Sequence, residues 1–134
     1  MLLAMNQEWK AGRTFARRGH QVLAVDVSTV GIAQLRAVAD REQLAVEVQV
    51  ADIVAFTIDR TFDVVILDRV LHMLASPDRL GVLEVALDAT ASGGHLLVAE
   101  GPKGLLPVVE RVQAAGWATP KRTRNRLIAQ RPAG

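Results

Sequence analysis

The chain has 134 residues, half of them hydrophobic and 22% charged, and it contains no cysteine. That suits one folded domain with a single core, and it excludes a disordered chain, disulfides, thiolate metal sites and a cysteine nucleophile. The formal charge of +2 hides an asymmetry: residues 1–100 carry 9 basic and 13 acidic side chains, whereas residues 101–134 carry 7 basic and 1 acidic. The apolar start "MLLAM" is too short for a signal segment, and no run approaches the ~18 apolar residues of a membrane span. The expectation is a cytoplasmic protein with no membrane partner.

Taken in order, "LLAM" (2–5) reads as a short strand. "AGRTFARRG" (11–19) has helical composition and stops at a glycine, the residue that most easily ends a helix. "QVLAVDV" (21–27) is a buried-strand run ending in an acid. Ser28 then stands where an N-cap belongs, before a helix (29–42) with Ile32, Leu35, Val38 and Ala39 at helical spacing. "AVEVQVAD" (45–52) alternates valines with polar residues, the period of a strand. A loop or short helix leads to "FDVVILD" (62–68), an apolar run between two acids, as expected of a central parallel strand.

Ser76-Pro77-Asp78 opens a helix over 78–91, which Gly93-Gly94 end, and "HLLVAE" (95–100) is a fifth strand. A further helix over 104–116 tolerates Pro107 only in its first turn. "WATPKRTR" and "RLIAQRP" form a hairpin around Asn125. Alternating strands and helices with right-handed crossovers predict a single α/β domain over 1–134, a three-layer sandwich on a mostly parallel seven-stranded sheet with an antiparallel C-terminal hairpin.

In such sheets ligands bind outside the C-terminal strand ends, at the point where strand order reverses. The residues there are Asn6 to Gly12, Asp26, Asp52 and Asp68. A carboxylate after the second strand can accept hydrogen bonds from vicinal ribose hydroxyls. One after the third can accept from an exocyclic amine, and one after the fourth lies toward the reacting end of a ligand. Each acid taken alone is also explained as a solvated strand end or a helix cap.

"GRTFARRGHQVLAVDVS", "VEVQVADI", "FDVVILDRVLHML" and "ASGGHLLVAE", in this order and spacing, resemble class I S-adenosylmethionine-dependent methyltransferases, particularly small-molecule enzymes of the tellurite-resistance and ubiquinone-biosynthesis type. The resemblance covers nearly the whole chain and implies a Rossmann-like fold with S-adenosylmethionine as cofactor and a small-molecule acceptor. It implies that Asp26 holds the ribose with Val27 beside the adenine, and that Asp52 and the Ile53 backbone meet the adenine edge. Asp68 and Arg69 would lie near the methionine portion or the acceptor. The family's acid-x-Gly-x-Gly-x-Gly pattern falls on Asn6, Glu8, Lys10 and Gly12, so the cofactor loop includes Asn6, Glu8 and Gly12 but keeps only the last glycine. The family's N-terminal lid helices have no counterpart before residue 1, so the expectation is that the acceptor site is open, that a homodimer mate or other lid-donating chain covers it, or that the chain is a remnant of a longer enzyme.

His72, after the fourth strand, is a candidate general base near the acceptor, or else a residue packing at the start of a helix. His20 and His95 read as structural, and the histidines are not spaced as a metal site. The basic tail (Lys121, Arg122, Arg124, Arg126, Arg131) can contact phosphates, but with one nearby aromatic it lacks a stacking platform for nucleic acid and better suits a charge-protected edge strand. Two functions remain: a methyltransferase working by proximity, or a methyltransferase fold without catalysis that serves as a binding or assembly module. A nicotinamide dehydrogenase would use Asp26, but it would equally want glycines where Glu8 and Lys10 stand and explains Asp52 less well.

Overall fold

The computed structural model describes residues 1–4 and 10–134. Seven strands alternate with helices: β1 (Leu2–Ala4), α1 (Lys10–Arg17), β2 (Val22–Asp26), α2 (Thr29–Glu42), β3 (Val46–Val50), β4 (Phe62–Asp68), α3 (Ser76–Ala89), β5 (Thr90–Ala99), α4 (Pro102–Ala114), β6 (Ala118–Arg122) and β7 (Arg126–Gln130). A 3-10 turn, Leu71–Met73, precedes α3. The strands lie in the order β3-β2-β1-β4-β5-β7-β6. Those from β1 to β5 run parallel, while β7 is antiparallel to both β5 and β6. The sheet is therefore mixed, not a purely parallel one.

The period of two along the inner strands sorts side chains to opposite faces. Val22 and Ala24 of β2, with Ile66 of β4, pack with Ala16 of α1 and Leu35 of α2. Leu23 and Val25, with Val65 and Leu67, pack in the larger core beneath α3 and α4. Helices thus cover both faces, and β2, buried at all five positions, lies inside. The outer strands are protected differently: β3 exposes Glu47 and Gln49, and β6 carries Pro120, Lys121 and Arg122, which discourage pairing with another chain.

In α2 the buried residues include Ile32, Leu35, Val38 and Ala39, the stripe its spacing predicts. Ser28 caps it by accepting from the Gly31 N–H at 3.4 Å. That contact is long, so Ser28→Ala should cost about 0.5–1 kcal/mol. Urea denaturation checks this, and a loss several times larger would mean that Ser28 does more than cap.

Two expectations are corrected. Gly93 and Gly94 do not end a helix: α3 stops at Ala89, and both glycines lie inside β5. There six residues of β5, from Thr90 to His95, face three residues of β4, from Phe62 to Val64, which makes a bulge. The bulge is pinned by Gly93 N–H to Arg131 O (3.1 Å) and Arg131 N–H to Gly94 O (3.0 Å). Second, Pro107 sits inside α4, beyond its first turn. The carbonyl of Lys103, four residues earlier, loses its helical partner, but Lys103 and Pro107 are both on the exposed side, where water can replace that bond. The segment between β3 and β4 takes the first of its two expected forms, a loop with a turn from Asp52 to Ala55, and its Ile53, Phe56 and Ile58 pack on the larger core.

Between α3 and α4, Arg111 grips Glu84 through both carboxylate oxygens. The guanidinium hydrogen bonds hold Glu84 below the ordinary glutamate range. The stabilisation is present above the unfolded pKa and fades as pH falls through the lowered value. Both partners are well exposed, so solvent keeps it small.

Candidate functional site

The register aligns the strand-end acids. Ala4 of β1 lies beside Val25 of β2 and Leu67 of β4, so Asp26 and Asp68 follow at one level on either side of β1. The order reverses between β1 and β4, where a crevice opens in sheets of this kind. Asp68 is in turn level with Ala99, so Glu100 stands next in the row.

Asp26 is 4% exposed, and its Oδ1 accepts from the Ser28 N–H at 3.0 Å. Its carbonyl accepts from Ala51 N–H at 3.0 Å, which ties the ends of β2 and β3 together. Beside it Val27, next in the chain, and Val50, its partner on β3, are left 67% and 48% exposed, and Val54 on the loop after β3 is 42% exposed. Three uncovered valines beside a buried carboxylate make an apolar ledge with a polar corner. Asp52 is exposed, and its Oδ1 accepts from Val54 N–H at 3.0 Å, closing a tight turn in the loop after β3. Ile53 is half-buried against the core, so its backbone is the part that remains for a ligand. Gly12 is buried within α1, and Lys10, the first residue of that helix, is exposed. The expected contributions of Asn6 and Glu8 lie outside the described residues.

Asp68 and Arg69 stand at the end of β4, 3.7 Å apart. Arg69 has a φ of +53°, the left-handed region that non-glycine residues seldom occupy. Its N–H donates to Ala99 O at 2.9 Å, so the ladder to β5 is kept while the chain turns away. This holds the following 3-10 turn over the end of the sheet.

On that turn His72 is not packed into the core: its side chain is 55% exposed. Glu100, whose side chain is wholly buried, accepts from the His72 backbone N–H at 3.0 Å and meets Nδ1 at 2.9 Å. Sequence reasoning missed Glu100. The signal was present, since an acid after the fifth strand obeys the same rule as Asp26, Asp52 and Asp68. His20 packs edge-on against Phe15 at 5.5 Å, a structural role. Among the described residues no group of acids and histidines could hold a metal ion, and no helix is long and apolar enough to cross a membrane.

A cleft of about 670 Å³, lined in part by Met1, His20, Gln21, Glu47, Arg60 and Asp63, opens at the other edge of the sheet, by the N-terminal strand ends. It is distant in the fold from the row of acids and holds none of them.

Residues 10–94 match the family described as a methyltransferase domain, which is well over half of the chain. The chain belongs to that methyltransferase family. No curated protein matches it by sequence. Among solved structures it resembles the N-methyltransferase NodS from Bradyrhizobium japonicum WM9 in complex with S-adenosyl-L-homocysteine, at 18% identity and a TM-score of 0.76, over 98% of this chain and 76% of that one. It also resembles TehB from Haemophilus influenzae, at 15% identity and a TM-score of 0.77, over 97% of this chain and 57% of that one. Magnesium protoporphyrin IX methyltransferase from Synechocystis PCC 6803 with bound SAM matches at 14% identity and a TM-score of 0.76, over 98% of this chain and 69% of that one. At these identities the likeness is one of fold, and it fits the resemblance to class I S-adenosylmethionine-dependent methyltransferases read from the sequence.

Proposed function

We propose that the protein binds S-adenosylmethionine at the C-terminal strand ends and transfers its methyl group to a small-molecule acceptor. The observation that carries this reading is the buried Asp26 carboxylate beside the uncovered Val27, Val50 and Val54. A nucleoside needs both, a carboxylate for the ribose hydroxyls and an apolar face for the base. Asp52 and the Ile53 backbone border that face, Gly12 lies toward the methionine end of the ligand, and Asp68 and Arg69 flank the crevice on the acceptor side.

When bound, the cofactor supplies an electrophilic methyl carbon on a sulfonium. The residues of the chain bind, orient and exclude water around it, and positioning alone provides much of the rate for an in-line displacement. His72, exposed on its turn, takes up the acceptor's proton.

The second reading is a methyltransferase fold that binds without methylating. It draws on Glu8 and Lys10, which stand where the family carries glycines that let backbone approach the ligand. Calorimetric titration with S-adenosylmethionine and S-adenosylhomocysteine is the test. Saturable heat from both is expected. Folded protein giving none at about 1 mM ligand, a free energy near −4 kcal/mol, would remove the cofactor reading. Binding of both without product from any acceptor would favour the second.

A further inference from the structure

We infer that Arg124 and Arg126, on the hairpin between β6 and β7, bind an anionic group of the methyl acceptor, which makes the acceptor a small carboxylated or phosphorylated molecule. The inference rests on the methyltransferase reading above for its reaction, but the anion site is testable without the cofactor.

The strand register divides the basic tail of the sequence. Because β7 runs antiparallel to β5, Gln130 lies level with His95, and Arg126 with Ala99. Arg131 therefore stands toward the N-terminal end of β5, where its Nη1 donates to Thr90 O at 2.7 Å. The turn over 123–125 stands at the opposite end, in the row of strand-end acids. It is fastened there, since Glu100 N–H donates to Asn125 O at 3.0 Å and Thr123 N–H to Arg126 O at 2.9 Å. From the other side of β5, Arg69 N–H donates to Ala99 O at 2.9 Å. The chain leaving β4 and the hairpin tip thus bond to adjacent residues at the end of one strand. Arg124 and Arg126, which flank Asn125, border the acceptor side of the crevice.

Edge protection explains only part of this charge. Lys121 and Arg122 lie on β6, the outermost strand, and guard its unpaired side. Arg126 lies on β7, which is paired on both sides, and Arg124 lies in the turn, so neither guards an edge. Both are exposed, and among the described residues neither forms an ion pair. No acid follows Glu110 in the sequence, so nothing on the hairpin offsets their charge. Lys103, exposed in the first turn of α4, adds a further cation at the same end of the sheet. A guanidinium offers a planar fork of donors that matches the oxygens of a carboxylate or phosphate.

A nucleic acid also carries phosphates, but its single strands bind on aromatic faces as well as on charge. The one aromatic residue near the hairpin, Trp117, is buried in the larger core. A small anion needs no such platform. Its charged group would rest on the hairpin while the atom to be methylated lies in the crevice beside it.

The test is a titration of the free protein with benzoate and with phenyl phosphate, followed by ¹⁵N-edited NMR of the backbone amides. Saturable shifts are expected over residues 122–126 and 100–104. Saturation by either anion supports the site, and the tighter of the two identifies the group. Replacing both arginines (Arg124→Ala with Arg126→Ala) should weaken binding about 10-fold. Arg36→Ala, the same charge change on the exposed side of α2, should leave it unchanged. With S-adenosylmethionine present, para-aminomethylbenzoate and protocatechuate should be methylated in preference to benzylamine and catechol. The double variant should erase that preference through KM for the acceptor, with KM for the cofactor unmoved. Shifts that do not saturate, equal affinity in the double variant, or a preference that survives in it overturns the inference. Saturation of the same amides by an oligothymidylate, at concentrations where neither small anion saturates them, overturns it in favour of nucleic acid. Failure to bind S-adenosylmethionine would instead strike the reading in the preceding section, while the anion titration still decides this one.

Discussion

Gly94→Ala should destabilise the protein by about 3 kcal/mol, although it adds one methyl group. An ideal Cβ at Gly94 would lie 2.8 Å from Ala91 O, 2.9 Å from Asp63 O and 3.3 Å from Thr90 Cγ2. Two of these neighbours are main-chain carbonyls, so no side-chain rotation can relieve the overlap. Asp63 belongs to β4 and Ala91 to the bulge of β5, so relief would require the two strands to separate where the bulge crosses. For a chain of this size the expected fall in melting temperature is about 10 °C. Gly93 provides the control: its φ is +74°, but an added Cβ would meet nothing closer than Ala133 Cβ at 3.9 Å. Gly93→Ala should therefore show backbone strain alone, about 1–2 kcal/mol. A Gly94 variant no less stable than the Gly93 variant would sink the steric account. Since the bulge sits at the N-terminal half of β5, the Gly94 variant that remains folded should bind ligands as the wild type does.

The same bulge shows where the sequence was legible and where it was not. The buried stripe of α2 and the apolar runs of β2 and β4 could be read because burial on one or both faces imposes a period on neighbouring residues. Gly93-Gly94 could not, because a glycine pair serves equally as a helix stop and as a bulge. What separates the two is the Asp63 carbonyl on another strand, which no local pattern contains. Pro107 was misplaced for a related reason: its tolerance depends on Lys103 and Pro107 facing water, which is settled by how α4 lies on the sheet. Asp26, Asp52 and Asp68 stand out as candidates from the sequence because each lies at or just after a strand end. Glu100 follows the same rule, but its importance lies in a contact with His72, 28 residues earlier in the chain. Strand ends can be read one at a time; pairs across the sheet edge cannot.

Asp26→Asn should weaken S-adenosylmethionine binding about 100-fold, or about 3 kcal/mol, with little loss of stability. The change is chosen to separate two tasks of one side chain. Oδ1 accepts from the Ser28 N–H at the start of α2, and asparagine can retain that bond. What it loses is the charge and one acceptor, since an NH2 group replaces Oδ2 and points a donor at hydroxyls that also donate. Hydrogen bonds to a carboxylate are about twice as strong as neutral ones, and this carboxylate is 4% exposed, where water competes poorly. Asp26→Ala would lose the Ser28 contact too, mixing a helix-capping defect with the binding defect. Asp52→Asn is the comparison: Asp52 is exposed, so water screens its contact with a ligand, and its loss should weaken binding less. Titration calorimetry of both variants gives the order. If Asp52→Asn weakens binding more than Asp26→Asn, the ligand's main polar anchor lies beyond β3 and not at the end of β2. The valine ledge would then belong to some other part of the ligand than its base.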